Sequence, residues 1–104
     1  METKEILDTS VAIGKKEGTI TVFTGLEYPT SFKALFEIIF PEDEDYIKAI
    51  QIANSLKEKG RLIGAIDILI SAMCLNRNTK LVTKDNDFKA VKEVFSEFKL
   101  EVLK

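Results

Sequence analysis

No histidine occurs in this chain of 104 residues, and that absence removes imidazole zinc sites, Ser-His-Asp triads and histidine-based RNA cleavage together. Chemistry here rests on carboxylates, lysines, hydroxyls or a bound metal. The single cysteine, Cys74, excludes an internal disulfide and fits a reducing compartment. It stands between Met73 and Leu75 in an apolar run and reads as core packing. Long hydrophobic runs are missing too: the most apolar stretch, Leu62 to Leu75, is too short to cross a bilayer and contains Asp67. Glu2, Lys4 and Glu5 precede only a few apolar positions, so no signal peptide is expected. The chain reads as cytoplasmic, without membrane association.

What is present is the composition of a folded domain. A hydrophobic content of 45% beside 31% charged residues supports a real core and argues against disorder. The length suits a single domain spanning residues 1–104. A formal charge of −2 is unusual for a nucleic-acid binder. That objection weakens if several acids are committed to a metal, because the remainder is then mildly basic.

The periodicities predict an α/β chain. Glu5 to Asp8 reads as a short strand and the β-branched run Thr19 to Thr24 as a second. Only nine residues, Ser10 to Gly18, lie between them, fewer than the dozen or so that a parallel crossover normally uses. Any first crossover helix is therefore a turn or two. Pro29 is placed to open a helix carrying Phe32, Leu35, Phe36 and Ile39, which Pro41 ends. Glu42 to Asp45 then read as solvated acids at the positive end of a second helix, with Tyr46, Ile50, Ala53 and Leu56 as its apolar stripe up to Gly60. Ile66, Leu69, Ile70, Met73 and Cys74 mark a third helix, apolar on nearly every side and so packed centrally. Lys80 to Thr83 and Leu100 to Leu103 are the remaining strands, separated by a helix with Val91, Val94 and Phe95. The expected fold is a three-layer α/β/α arrangement around a small, mainly parallel four-stranded sheet.

Within that arrangement five carboxylates fall at or near the exits of buried strands. Asp8 ends the first apolar run, Glu27 follows the second, and Asp85 and Asp87 follow the third, while Asp67 stands alone in a helix otherwise apolar. Open α/β sheets gather ligands outside the carboxyl ends of their strands. A lone buried carboxylate costs several kcal/mol unless something positive compensates, and crowded carboxylates raise one another's pKa. Mg2+ or Mn2+ answers both problems, since hard cations take oxygen ligands. Such ions activate water and hold a phosphodiester for in-line attack. Thr9, Ser10 and Thr83 supply neighbouring hydroxyls for orienting water or phosphate, and Arg61, Lys80, Lys84 and Lys89 supply cations that either guide phosphate or are simply solvated.

Four segments in order carry a family likeness: Leu-Asp-Thr-Ser at 7–10, Val-Phe-Thr-Gly-Leu-Glu-Tyr-Pro at 22–29, Ile-Gly-Ala-Ile-Asp-Ile-Leu-Ile-Ser-Ala at 63–72, and Leu-Val-Thr-Lys-Asp-Asn-Asp-Phe at 81–88. In order and spacing the chain resembles the PIN domains, in particular the VapC-type toxin ribonucleases. The resemblance implies a metal-binding quartet of Asp8, Glu27, Asp67 and Asp85, with Asp87 as a further acid that binds metal directly or through water. It implies Mg2+- or Mn2+-dependent cleavage of an RNA substrate, a small antitoxin protein as partner, and a homodimer. The segment between Asp8 and Glu27 is shorter than the family's usual helical one. Whether Glu27 reaches the pocket turns on how that connection folds.

Two other classes stay open at this level. One is a catalytically inactive PIN-like protein-binding module that keeps the fold and some acids. The other is a phosphoacceptor domain with Asp8 as nucleophile; the acid that a haloacid-dehalogenase-like phosphatase carries two residues later is replaced here by Ser10.

Overall fold

A computed structural model of the chain describes residues 5–104; Glu2 and Lys4, part of the charged start, lie outside that range. Strands β1 (Ile6–Leu7), β2 (Glu17–Thr21), β3 (Leu35–Ile39), β4 (Leu81–Thr83) and β5 (Leu100–Val102) form one sheet in the order β3-β2-β1-β4-β5, with every neighbouring pair parallel. Helices α1 (Thr9–Ala12), α2 (Val22–Glu27), α3 (Asp43–Glu58), α4 (Ala65–Asn76) and α5 (Lys89–Val94) connect and cover the strands. The expected three-layer α/β/α fold is present, with five strands rather than four and a sheet that is parallel throughout.

The added strand is β3, in the segment whose apolar spacing predicts a helix. Pro29 starts only a 3-10 turn, Pro29–Lys33. Ala34 then turns extended at φ −97° and ψ −176°, and Leu35 to Ile39 pair residue for residue with Glu17 to Thr21. A short apolar run fits either period, and here the open edge of β2 decides it. As an outer strand β3 is only half covered, and Leu35 remains 82% exposed.

β2 also differs from its expected bounds. It begins earlier, at Glu17, and ends at Thr21, whose Oγ1 accepts from the Thr24 N–H and caps α2. The cap ends the strand and turns the chain into the helix that carries Glu27. Gly18, within β2, has φ +145°, and a Cβ there would lie 2.8 Å from Leu7 Cδ1. Gly18→Ala is therefore expected to cost about 1–3 kcal/mol in stability, read from urea denaturation midpoints.

The pleat sorts the core. Ile6 and Leu81 face a large cluster with Ile52, Leu56, Ile68, Ile70, Phe88 and Val91, whereas Leu7 and Val82 face a smaller one with Val11, Ala12 and Ile20. One layer is thus the substantial packing of α3, α4 and α5. The opposite layer is thin, because the short crossover contains only the single-turn α1.

α3 starts with a reciprocal capping box between Glu42 and Asp45. It ends with Gly60 at φ +67°, the Gly60 N–H donating to Lys57 O and the Arg61 N–H to Leu56 O. Asp45 is not the solvated acid the sequence suggests. It is 1% exposed and accepts hydrogen bonds from Arg77 Nη1 at 3.0 Å, Asn76 Nδ2 at 2.9 Å and the Glu42 N–H at 2.7 Å. With Asp45 turned inward, Ala49, Ile52, Ala53 and Leu56 follow on the inner face, leaving Tyr46 and Ile50 exposed. α4 fits its expectation, buried continuously from Ile68 to Cys74. Burial pushes the Cys74 thiol up to about 12, which keeps it protonated and inert. Among the described residues no helix is long and apolar enough to cross a membrane.

Candidate metal centre

Strand order reverses at β1 and β4, which lie side by side with β2 and β3 beyond one and β5 beyond the other. The crevice outside their carboxyl ends is where such a sheet collects ligands. Asp8 follows β1 directly, and Asp85 follows β4 after Lys84.

Asp8 is extended at the N-cap of α1, yet its side chain makes no capping bond. Instead Asp8 Oδ2 accepts from Thr83 Oγ1 at 2.7 Å and from Ser10 Oγ at 3.4 Å. Each hydroxyl is itself held, Thr83 Oγ1 accepting from the Asp85 N–H and Ser10 Oγ from the Lys84 N–H, both at 3.0 Å. The ends of β1 and β4 are thus cross-braced around one carboxylate oxygen. Asp8 Oδ1 has no hydrogen bond among the described residues.

Glu27, at the end of α2, is exposed. Thr9, next to Asp8, donates from Oγ1 to Glu27 Oε1 at 2.8 Å, with Thr24 Oγ1 at 3.0 Å from the same hydroxyl. The short crossover thus delivers Glu27 to the Asp8 side of the crevice by a direct tether between α1 and α2. Thr9→Val is expected to lower Mn2+ affinity by roughly 10-fold in titration calorimetry, while Thr9→Ser, which keeps the hydroxyl, retains it.

Asp67 occupies the first turn of α4 and is half-buried. Asp85 caps the 3-10 turn Asn86–Phe88, its Oδ1 accepting from the Asp87 N–H at 2.9 Å. One carboxylate oxygen from each of Asp67, Asp85 and Asp87 lies within 4.8 Å of the others. Asp8 and Glu27 stand outside this tightest trio but act on it. Burial first, then the charges of Asp8, Asp85, Glu27 and Asp87, push Asp67 up to about 6.

Among the described residues, no lysine or arginine forms an ion pair with any of these five acids. Arg61 is engaged with Glu93, and Lys80 with Glu5 and Glu101. The donor set is oxygen only, anionic and uncompensated, which fits a hard divalent cation and not a thiolate- or imidazole-preferring metal. Of the five acids singled out in the sequence, the structure gathers Asp67, Asp85 and Asp87, and it places Asp8 and Glu27 near enough for their charges to act on Asp67. What sequence reasoning missed was the use of the hydroxyls: Thr9, Ser10 and Thr83 hold carboxylates in place, and their adjacency to the acids was the available signal.

A family model described as PIN domain matches residues 26–94. That span contains Glu27, Asp67, Asp85 and Asp87 and leaves out Asp8. Ribonuclease VapC1 of Methanocaldococcus jannaschii is 31% identical over 114 aligned residues, covering 88% of this chain and 84% of the relative. The chain belongs to the PIN-domain family. Solved structures bear out the fold of this PIN domain. A chain of VapBC2 from Rickettsia felis, bound to a DNA fragment from its promoter, superimposes with a TM-score of 0.74 at 22% identity, over 94% of this chain and 97% of that one. A chain of DNA-bound VapBC from Salmonella typhimurium gives 0.75 at 19% identity, over 97% and 98%. VapBC-5 from Mycobacterium tuberculosis, of the same toxin-antitoxin family, gives 0.70 at 20%, over 99% of both chains. The braced carboxylate of this PIN domain, Asp8, lies outside the matched segment, and its place in the crevice rests on the hydrogen bonds to Thr83 and Ser10.

Proposed function

We propose that this PIN domain is a divalent-metal-dependent endoribonuclease that hydrolyses RNA phosphodiester bonds, acting in the cytoplasm as the toxin of a toxin–antitoxin pair. The observation that carries the reading is the convergence of Asp67, Asp85 and Asp87 oxygens within 4.8 Å without a counter-charge, beside an Asp8 braced by Thr83. The curated relative named as a ribonuclease supports the choice of substrate.

Mg2+ or Mn2+ would be held by Asp8, Asp67 and Asp85, with Glu27 and Asp87 as further ligands. Bound there, the ion supplies water activation and charge neutralisation at a phosphate. The protein's own part is to hold the acids apart and ready. Thr83 and Ser10 fix the Asp8 carboxylate, and Thr9 holds Glu27 where it takes metal or orients the attacking water. The α4 N-terminus favours the ionised form of Asp67 once a cation relieves the repulsion around it.

The protein-partner half of the proposal is a small antitoxin and a second copy of the chain in a homodimer. It is supported by apolar surface that the core leaves uncovered. Tyr46, Ile50 and Ile66 line a cavity of about 310 Å3 between α3 and α4, and they are 50%, 70% and 46% exposed. Exposed apolar area of this kind marks protein contacts.

Purified protein with Mn2+ or Mg2+ is expected to cleave at least one member of a panel of single-stranded and structured RNAs, and Asp8→Asn to remove that cleavage. No cleavage, together with no heat of Mn2+ binding at millimolar metal, would overturn the proposal and leave the non-catalytic protein-binding module that the exposed apolar face also suits.

A further inference from the structure

The acids account for the crevice at β1 and β4 but not for the groove beside it. An open groove of about 590 Å3 lies between the start of α5 and β5, lined by Leu100, Val102 and Leu103 together with Lys89, Lys92 and Lys104. Asn86, the residue between Asp85 and Asp87, also lines it. Its other side is tied to the same centre, since the Leu103 N–H donates at 2.7 Å to the carbonyl of Thr83, the residue that braces Asp8. The groove therefore continues the crevice outward past the end of β5.

Its chemistry is the reverse of the crevice's. Among the described residues no acidic side chain lines it, although the chain carries a net charge of −2. Lys89 is the first residue of α5, where the positive end of a helix disfavours a cation. Helix stability thus does not explain it, and among the described residues its side chain has neither an ion-pair nor a hydrogen-bond partner. Lys92 differs: its Nζ donates to Ser96 O and Phe98 O at 2.8 Å each and closes the turn after α5. Of the other cations singled out in the sequence, Arg61 and Lys80 are neutralised by glutamates, and Lys84 does not line the groove. Among the described residues, the cations of the groove whose side chains have no partner are Lys89 and Lys104, beside apolar Leu100, Val102 and Leu103; lysines suit phosphate and apolar side chains suit sugar and base faces.

We infer that this groove seats the RNA strand on one side of the scissile phosphodiester, with Lys89 and Lys104 contacting its backbone phosphates. The inference rests on the nuclease reading and adds the path of the strand. It is tested on the full chain with Lys89→Gln/Lys104→Gln, and with Lys33→Gln at the opposite edge of the sheet as the comparison. Affinity for a labelled single-stranded RNA is read by fluorescence anisotropy across a salt series, with Ca2+ replacing Mg2+ to keep the strand uncut. The double variant is expected to bind several-fold more weakly, with a salt slope shallower by about 0.7 per lysine. Its KM for RNA cleavage rises with kcat unchanged, and Mn2+ binding by calorimetry stays as in the wild type. If the double variant keeps the wild-type affinity and slope while RNA is still bound and cut, the inference falls and the nuclease reading stands. An equal loss in Lys33→Gln overturns it as well, since the effect would not be local. Failure of the wild-type chain to bind RNA or Mn2+ removes both.

Discussion

Asp67→Asn is expected to stabilise the metal-free protein at neutral pH and to abolish its stabilisation by Mn2+. The Asp67 carboxyl is pushed from an ordinary 3.8 to about 6 by burial and by the neighbouring acids. The folded state therefore binds this proton more tightly than the unfolded state does. The stabilising contribution is complete below about pH 3.8 and is lost as pH rises through about 6. Taken at face value, the shift corresponds to about 3 kcal/mol. Because Asp67 is only half-buried, solvent screening reduces the expected gain on removing its charge at pH 7 to about 1 kcal/mol. Metal reverses the order: a ligand present at a hundredfold excess over its Kd stabilises the folded state by about 2.7 kcal/mol. Thermal melts in EDTA should place Asp67→Asn above the wild type, and melts in Mn2+ should place it below. RNA cleavage should fall by more than the roughly 10- to 100-fold that loss of an outer-sphere partner costs. Identical melting of the two proteins in Mn2+ would remove Asp67 from the metal set.

Arg77→Ala carries the second large effect, at the far end of α4. Arg77 ties the C-terminus of α4 to the N-terminus of α3: besides Asp45 at 3.0 Å it reaches Phe40 O at 3.3 Å and Met73 O at 3.0 Å. Removing one partner of a buried pair costs about 3–5 kcal/mol, because the remaining charge is left uncompensated. For a domain whose total stability is on the order of 5–15 kcal/mol, that loss is a large fraction. Burial works to raise the Asp45 pKa, but hydrogen bonds from Arg77, Glu42 and Asn76, with the Arg77 charge, leave it lowered overall. Its stabilising contribution is therefore present above the ordinary carboxyl range and is lost as pH falls through the lowered value. Chemical denaturation should show the loss in Arg77→Ala at neutral pH, and acid unfolding should begin at a higher pH than in the wild type. Wild-type denaturation midpoints in the variant would show that Asn76 and the α3 backbone satisfy Asp45 unaided.

The two pairings show why the sequence was informative about one site and silent about the other. Asp8, Glu27, Asp67 and Asp85 were legible because each breaks a local pattern, standing at the end of an apolar run or inside one, where an acid has no local reason to be. Asp45 breaks no pattern. It lies among Glu42, Asp43 and Glu44 at a helix start, where acids are ordinary, and its partner is 32 residues away. Burial of one acid among four neighbours is decided by which way α3 is rotated, and that is a property of the α3–α4 contact.

β3 was hidden for a related reason. Phe32, Leu35, Phe36 and Ile39 satisfy a helical spacing, yet the same residues serve as a strand once the edge of β2 offers hydrogen bonds. Local propensity left the two states close, and the long-range pairing chose between them.

By itself the sequence determined the α/β class, through apolar periodicity, and the family, through four motifs in order, and it singled out five acids as candidates, because these signals are written residue by residue. Only the tertiary structure decided that the nine-residue crossover still brings Glu27 to the crevice, through the hydroxyl of Thr9. It alone also decided that Asp8 is held by Thr83, 75 positions away. Hydrogen bonds between residues so distant in the chain depend on strand order, and strand order follows from how the whole core packs.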